Sequence, residues 1–201
     1  MRYQTPAADL FVRNRKKFTE KMQPGAAALF FANRQLTVNA DARYNFAQDS
    51  NFYYLTGIDQ EECILLLYPD APREDLREVL FVRPTSAELQ LWEGWKYSPE
   101  EATEASGIQQ VQYTNSFDKV WGQVSAHAQG VYLDFNEHER RGDFTLTAAH
   151  HFAQRIHKEL PGHEILRAYP LLRNIRMLKE PQEVKQIRRA CEITGIAFDT
   201  V

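Results

Sequence analysis

The sequence predicts an α/β fold with a mixed central sheet flanked by helices, and three observations carry the prediction. The runs Glu62 to Tyr68 and Glu78 to Arg83 are short, apolar and strand-like, and the polar, proline-containing stretch Pro69 to Arg77 joins them as a hairpin. Beyond residue 98, strand-like and helix-like segments alternate, which implies that part of the sheet is parallel. Proline, glycine and serine punctuate the chain where these segments meet.

The elements follow in order. Asp9 to Met22 reads as an amphipathic helix with Leu10, Val12 and Phe18 on or near one face, stopped by Gln23-Pro24-Gly25. Its basic residues Arg13, Arg15, Lys16 and Lys17, flanked by Asp9 and Glu20, read as a solvated face. Ala26 to Ala32 is a buried strand, and Tyr53 to Thr56 reads as extended, ending at Gly57. Ser98-Pro99-Glu100-Glu101 opens a helix with a serine cap, proline at the first position and acids facing the dipole; it ends near Gly107. Strand Gln109 to Tyr113, helix Asn115 to Gln129, strand Val131 to Phe135 and helix Asp143 to Leu160 come next, with a last strand at Glu164 to Leu166. Glu180-Pro181-Gln182-Glu183 opens a further helix whose apolar face carries Val184, Ile187, Cys191, Ile196 and Phe198. That face reads as the first helix of a second, truncated domain, the rival being a helix that folds back on the first domain.

Composition bounds the function. The 201 residues are 43% hydrophobic, enough for one globular domain plus a short extension. The 24 basic and 27 acidic residues are mixed, with no single-sign block to bind a phosphate backbone, so no nucleic acid partner is expected. Cys63 and Cys191 have no CxxC partner and read as free, buried thiols of a reducing cytoplasm. No apolar run approaches a signal peptide or a membrane span, so no membrane partner is expected.

No HExxH, GxSxG, P-loop or GxGxxG motif is present. His150 and His157 share a face of their predicted helix, with His151 about 100° away, but lack a suitably spaced acid to complete a metal site. Glu137-His138-Glu139 is no better, since neighbours on a turn rarely converge. Asp134, at a strand end, is the one carboxylate placed where α/β folds put functional groups. With Asp41 or Glu88 it would make a nuclease-type cluster, and otherwise it caps the following turn.

Two stretches are more specific. Gln48-Asp49-Ser50-Asn51-Phe52-Tyr53-Tyr54-Leu55-Thr56-Gly57 resembles the signature segment of the amino-terminal domain of aminopeptidase P, in the creatinase/prolidase/aminopeptidase P family. Phe81-Val82-Arg83-Pro84 with Glu88-Leu89-Gln90-Leu91-Trp92-Glu93-Gly94 is similar to the family's next strand and its Trp-x-Gly segment, and Met177 to Val184 to the lead into the catalytic domain. Ala47 departs from the pattern, which often has arginine there.

The resemblance implies a ribonuclease H-like amino-terminal domain over residues 1–176, then over 177–201 the linker and first helix of a pita-bread catalytic domain. It implies a parent Xaa-Pro aminopeptidase, a metalloprotease using two manganese or similar divalent ions. All of those ligands would lie outside this chain, which is expected to be inactive alone and to hold no cofactor. The implied partners are peptides with proline at the second position, reached through the full-length enzyme, and further copies in a homo-oligomer. Trp92 matches a tryptophan that closes over the substrate, often in a neighbouring subunit; the plainer reading puts Trp92 and Leu91 in the core, a role Trp95 could share. A stand-alone binding module of the same fold is the alternative, with a metal-dependent nuclease around Asp134 behind it.

Overall fold

The computed structural model describes residues 5–137, 139–140 and 145–200. In chain order the elements are α1 (Ala8–Thr19), β1 (Ala26–Phe31), β2 (Thr37–Asn39), β3 (Ala42–Arg43), α2 (Ser50–Thr56), β4 (Ile64–Leu67) and β5 (Glu78–Val82). There follow α3 (Ala87–Glu93), α4 (Pro99–Ser106), β6 (Gln110–Tyr113), α5 (Phe117–Ser125), β7 (Gly130–Leu133), α6 (Ala148–Glu159), β8 (Glu164–Arg167), α7 (Tyr169–Met177) and α8 (Pro181–Thr200).

Six strands form one sheet in the order β6-β5-β4-β1-β7-β8, and β2 and β3 form a separate ribbon. β1 is antiparallel to β4 and β4 to β5, the predicted hairpin, while β1–β7, β7–β8 and β5–β6 are parallel. The sheet is therefore mixed, as expected. Helices cover both faces, so its central strands have no polar side and read as continuous apolar runs. Along β1, Ala26, Ala28 and Phe30 join one core with Phe18, Leu65, Leu80 and Tyr132. Ala27 and Leu29 join the opposite core with Leu66, Phe81, Trp121 and Val131.

On α1, Leu10, Phe11, Asn14, Arg15 and Phe18 are buried, and Val12 is exposed. Arg13, Lys16 and Lys17 do face outward, but Arg15 is only 2% exposed, which corrects the reading of a wholly solvated basic face. The reason lies in α2, whose last carbonyls need donors. Asn14 Nδ2 donates to Tyr54 O at 2.9 Å and Arg15 Nη1 to Leu55 O at 2.7 Å.

The segment Tyr53 to Thr56 is helical, not extended. Its aromatic residues favour strands, but local capping overrides that preference. The Asp49 carboxylate accepts from Asn51 N and Phe52 N, and Gly57 closes the helix in the left-handed conformation. Helix α6 begins at Ala148, later than expected, because Thr147 and His150 build its cap; positions 143 and 144 lie outside the described residues. Short elements without a clear pattern (β2, β3, α3 and α7) were not foreseen.

Cys63 is buried as expected, but Cys191 is exposed, because no residue of α8 is buried. The first turn of α8 docks on α1, with Gln182 Nε2 3.0 Å from Asp9 Oδ1 and Arg13 Nη2 2.8 Å from Gln182 Oε1. Ile187, Ile193, Ile196 and Phe198 stay in solvent, so the helix does not fold its apolar face back onto the domain. Among the described residues, no helix is long and apolar enough to cross a membrane.

Candidate functional site

Strand β5 ends at Val82, which is fully buried, and Arg83 emerges from its carboxyl end. Three residues on, Ser86 starts α3 by accepting from Leu89 N. The helix buries none of its described residues. Trp92 is 81% exposed and Leu91 79%, with Leu89 and Trp95 partly exposed beside them. Core positions for Trp92 and Leu91 are thereby ruled out, and Trp95 leans edge-on against buried Tyr97 at 4.4 Å between ring centroids.

Charged residues tie this apolar projection to the sheet. Arg83 Nη1 lies 2.7 Å from Glu93 Oε2, and its Nη2 donates to Glu93 Oε1 at 3.2 Å. Arg83 Nη1 also donates to Glu61 Oε1 at 3.0 Å, where Lys96 Nζ donates at 2.6 Å. Arg43 of β3 approaches Glu93 at 3.6 Å. Burial works against ionised Glu61, yet the Lys96 and Arg83 hydrogen bonds outweigh it and hold its pKa below the usual carboxylate range. Burial likewise opposes the Arg83 charge, and Glu93 and Glu61 reverse the balance.

Asp134 does not assemble the suggested cluster. Among the described residues no three His, Cys, Asp or Glu side chains group to hold a metal ion. Its carboxylate instead accepts from Asn51 Nδ2 at 2.5 Å and from Asn136 N at 3.3 Å, so Asp134 both caps the following turn and anchors α2. Burial, then nearby Asp49, raises its pKa above the ordinary 3.8, against the Asn51 bond. The folded chain thus holds this proton more tightly than the unfolded one, and stability is lost as pH rises through that interval. Urea midpoints of Asp134→Asn should accordingly gain on those of the parent as pH rises from the ordinary 3.8 through that interval. A constant difference would refute the burial argument.

Among the described residues, no further candidate ligand groups with His150 and His157. His150 Nδ1 accepts from Thr147 N at 3.2 Å, and its ring leans on Phe135 with centroids 5.1 Å apart. Glu137 pairs with Arg167, and His138 lies outside the described residues. Ala47 contributes its carbonyl to Asn33 Nδ2. Glu61, Glu93 and Lys96 carried no sequence signal as a cluster; their opposite charges, spread over 36 positions, were the only hint.

A mixed sheet sandwiched by helices, with an exposed tryptophan tied to it through charged side chains, defines an α/β domain. Residues 11–132 match the family model of the aminopeptidase P N-terminal domain, and the chain belongs to that family. It is 28% identical over 188 residues to the Xaa-Pro aminopeptidase of Escherichia coli, covering 93% of this chain and 42% of that one. Aminopeptidase P from E. coli in its low pH form superposes with a TM-score of 0.79 at 27% identity, over 97% of this chain and 44% of that one. Zinc-substituted E. coli aminopeptidase P in complex with product superposes with a TM-score of 0.75 at 26% identity, with the same coverages of 97% and 44%. The chain therefore spans about two fifths of the length of the relatives it matches.

Proposed function

We propose that this chain is the non-catalytic amino-terminal domain of a Xaa-Pro aminopeptidase, contributing subunit contacts and part of the substrate site. The observation that carries the reading is Trp92, held 81% exposed at the end of a helix none of whose described side chains is buried. A large apolar ring kept in water loses hydrophobic free energy unless another surface covers it. Against a proline ring it would provide a flat contact and exclude water from the scissile bond.

Residues 177–201 would be the linker and first helix of the catalytic domain. Two divalent ions, manganese or a similar metal, would be held by residues outside this chain and would activate the water that attacks the peptide bond. The substrates would be peptides with proline second, the assembly a homo-oligomer, and the compartment the cytoplasm.

The test is hydrolysis of an Xaa-Pro tripeptide with added manganese, comparing the fragment with the chain extended through its downstream reading frame. Activity is expected in the extended enzyme alone, and activity in the fragment would overturn the reading. In the extended enzyme, Trp92→Ala should lower kcat/KM by about tenfold, the scale of one lost aromatic contact.

A further inference from the structure

We infer that the turn Gln60-Glu61-Glu62, with Arg83, is a clamp that sets the position of the helix carrying Trp92. The inference rests on the reading of Trp92 as a substrate lid and adds the residues that aim it.

Helix α3 has seven residues, far too few to persist alone in water. None of its described side chains is buried to dock it. Its described anchors are polar: the Ser86 cap at its start and the Glu93 carboxylate at its end. Glu93 directly follows Trp92, so whatever fixes Glu93 fixes the base of the indole. Arg83 holds that carboxylate by one hydrogen bond, from Nη2 to Oε1, and by the close charge contact of Nη1 with Oε2, which has no hydrogen-bond partner of its own. Its own backbone is rigid, because it follows the buried end of a central strand.

The segment after α3 is tied to the same turn. Lys96 Nζ donates to Glu61 Oε1 at 2.6 Å, and Tyr97 N donates to Gln60 Oε1 at 2.7 Å. Gly94, with φ of +81°, lies between the two attachments and lets the chain turn from one to the other. The turn itself is braced from behind by Gln48, whose Nε2 donates to Ile58 O at 3.0 Å and to Gln60 O at 2.8 Å.

These ion pairs are sheltered. Side-chain exposure is 6% for Glu61, 11% for Lys96, 18% for Glu93 and 23% for Arg83. Water therefore screens them less than an ordinary surface bridge, and releasing one partner leaves a charge poorly solvated. Such a network gives a defined geometry more than raw stability, as aiming a side chain requires.

The test uses the extended enzyme, an Xaa-Pro tripeptide, and the variants Glu93→Ala, Glu93→Gln, Trp92→Ala and the double variant Trp92→Ala/Glu93→Ala. Amide hydrogen exchange over residues 87–93 should quicken by tenfold or more in Glu93→Ala, while exchange in β4 and β5 stays unchanged because Arg83 keeps Glu61. In the same variant kcat/KM should fall about fivefold, mostly through KM. Glu93→Gln, which keeps an acceptor for Arg83, should recover much of the loss. Because Glu93 acts through Trp92, Glu93→Ala should add nothing once Trp92 is alanine. Unchanged exchange would overturn the clamp, and so would additive losses in the double variant. Faster exchange with a silent Trp92→Ala would leave the clamp standing and overturn the lid reading instead.

Discussion

Gly57→Ala is expected to destabilise the domain by about 3 kcal/mol, a large part of what a domain of this size possesses. Two costs combine. Gly57 has φ of +71°, a left-handed conformation that costs an L-residue with a side chain about 1–2 kcal/mol. An added Cβ would also fall 2.2 Å from Phe11 Cε2 and 2.6 Å from Phe11 Cζ. Phe11 is 1% exposed and has nowhere to retreat, so α1 would be pushed off α2 at an overpacking cost of about 1–3 kcal/mol. Gly25→Ala supplies the control. It has a similar φ of +73°, but its added Cβ would meet only the flexible Gln129 side chain at 3.4 Å. Urea midpoints should shift by at least twice as much for Gly57→Ala as for Gly25→Ala. Equal shifts would mean that backbone conformation alone decides and that the α1–α2 contact is looser than described.

The contrast between these glycines bears on what could be read in advance. Strands β1, β4, β5 and β7 were legible because a sheet covered on both faces writes itself as unbroken apolar runs, and helix α4 because its capping box is local. Residues 50–56 misled because Phe52, Tyr53, Tyr54 and Thr56 favour strands, while the cap that decides for helix is a single carboxylate at Asp49. Helix α3 left no pattern, since its seven residues are too few to show a helical period and none of its described side chains packs into the core. Trp92 was reached by resemblance, and its exposure excludes a place in the core. Its supports were hidden for a different reason. Glu61 lies 22 residues from Arg83 and 35 from Lys96, and a buried carboxylate looks like any surface acid until the fold brings its partners together. The same holds for Arg15, one basic residue in a cluster of four, distinguished only by the helix phase that turns it inward.

Arg15 carries the second large effect, and its sign depends on which partner is removed. Its Nε is paired with Glu78, its Nη1 donates to Leu55 O, and its Nη2 has no hydrogen-bond partner. Burial pushes its pKa below the usual guanidinium value, against the attraction of Glu78. The Glu78 side chain is 36% exposed and can turn to water, while Arg15, 2% exposed, cannot. Glu78→Ala therefore strands a buried cation and should cost about 3 kcal/mol, the lower end for breaking such a pair because water reaches one side of it. Arg15→Met removes the charge, keeps most of the apolar stem, and leaves mainly the Leu55 carbonyl short of a donor, at about 1–2 kcal/mol. The double variant should resemble Arg15→Met alone, since Glu78 has nothing left to neutralise. Chemical denaturation of the three variants decides the matter. If Arg15→Met proved the costlier change, the ion pair itself would be the stabilising element, and Arg15 would be in the core for its charge rather than for the carbonyl of α2 that it caps.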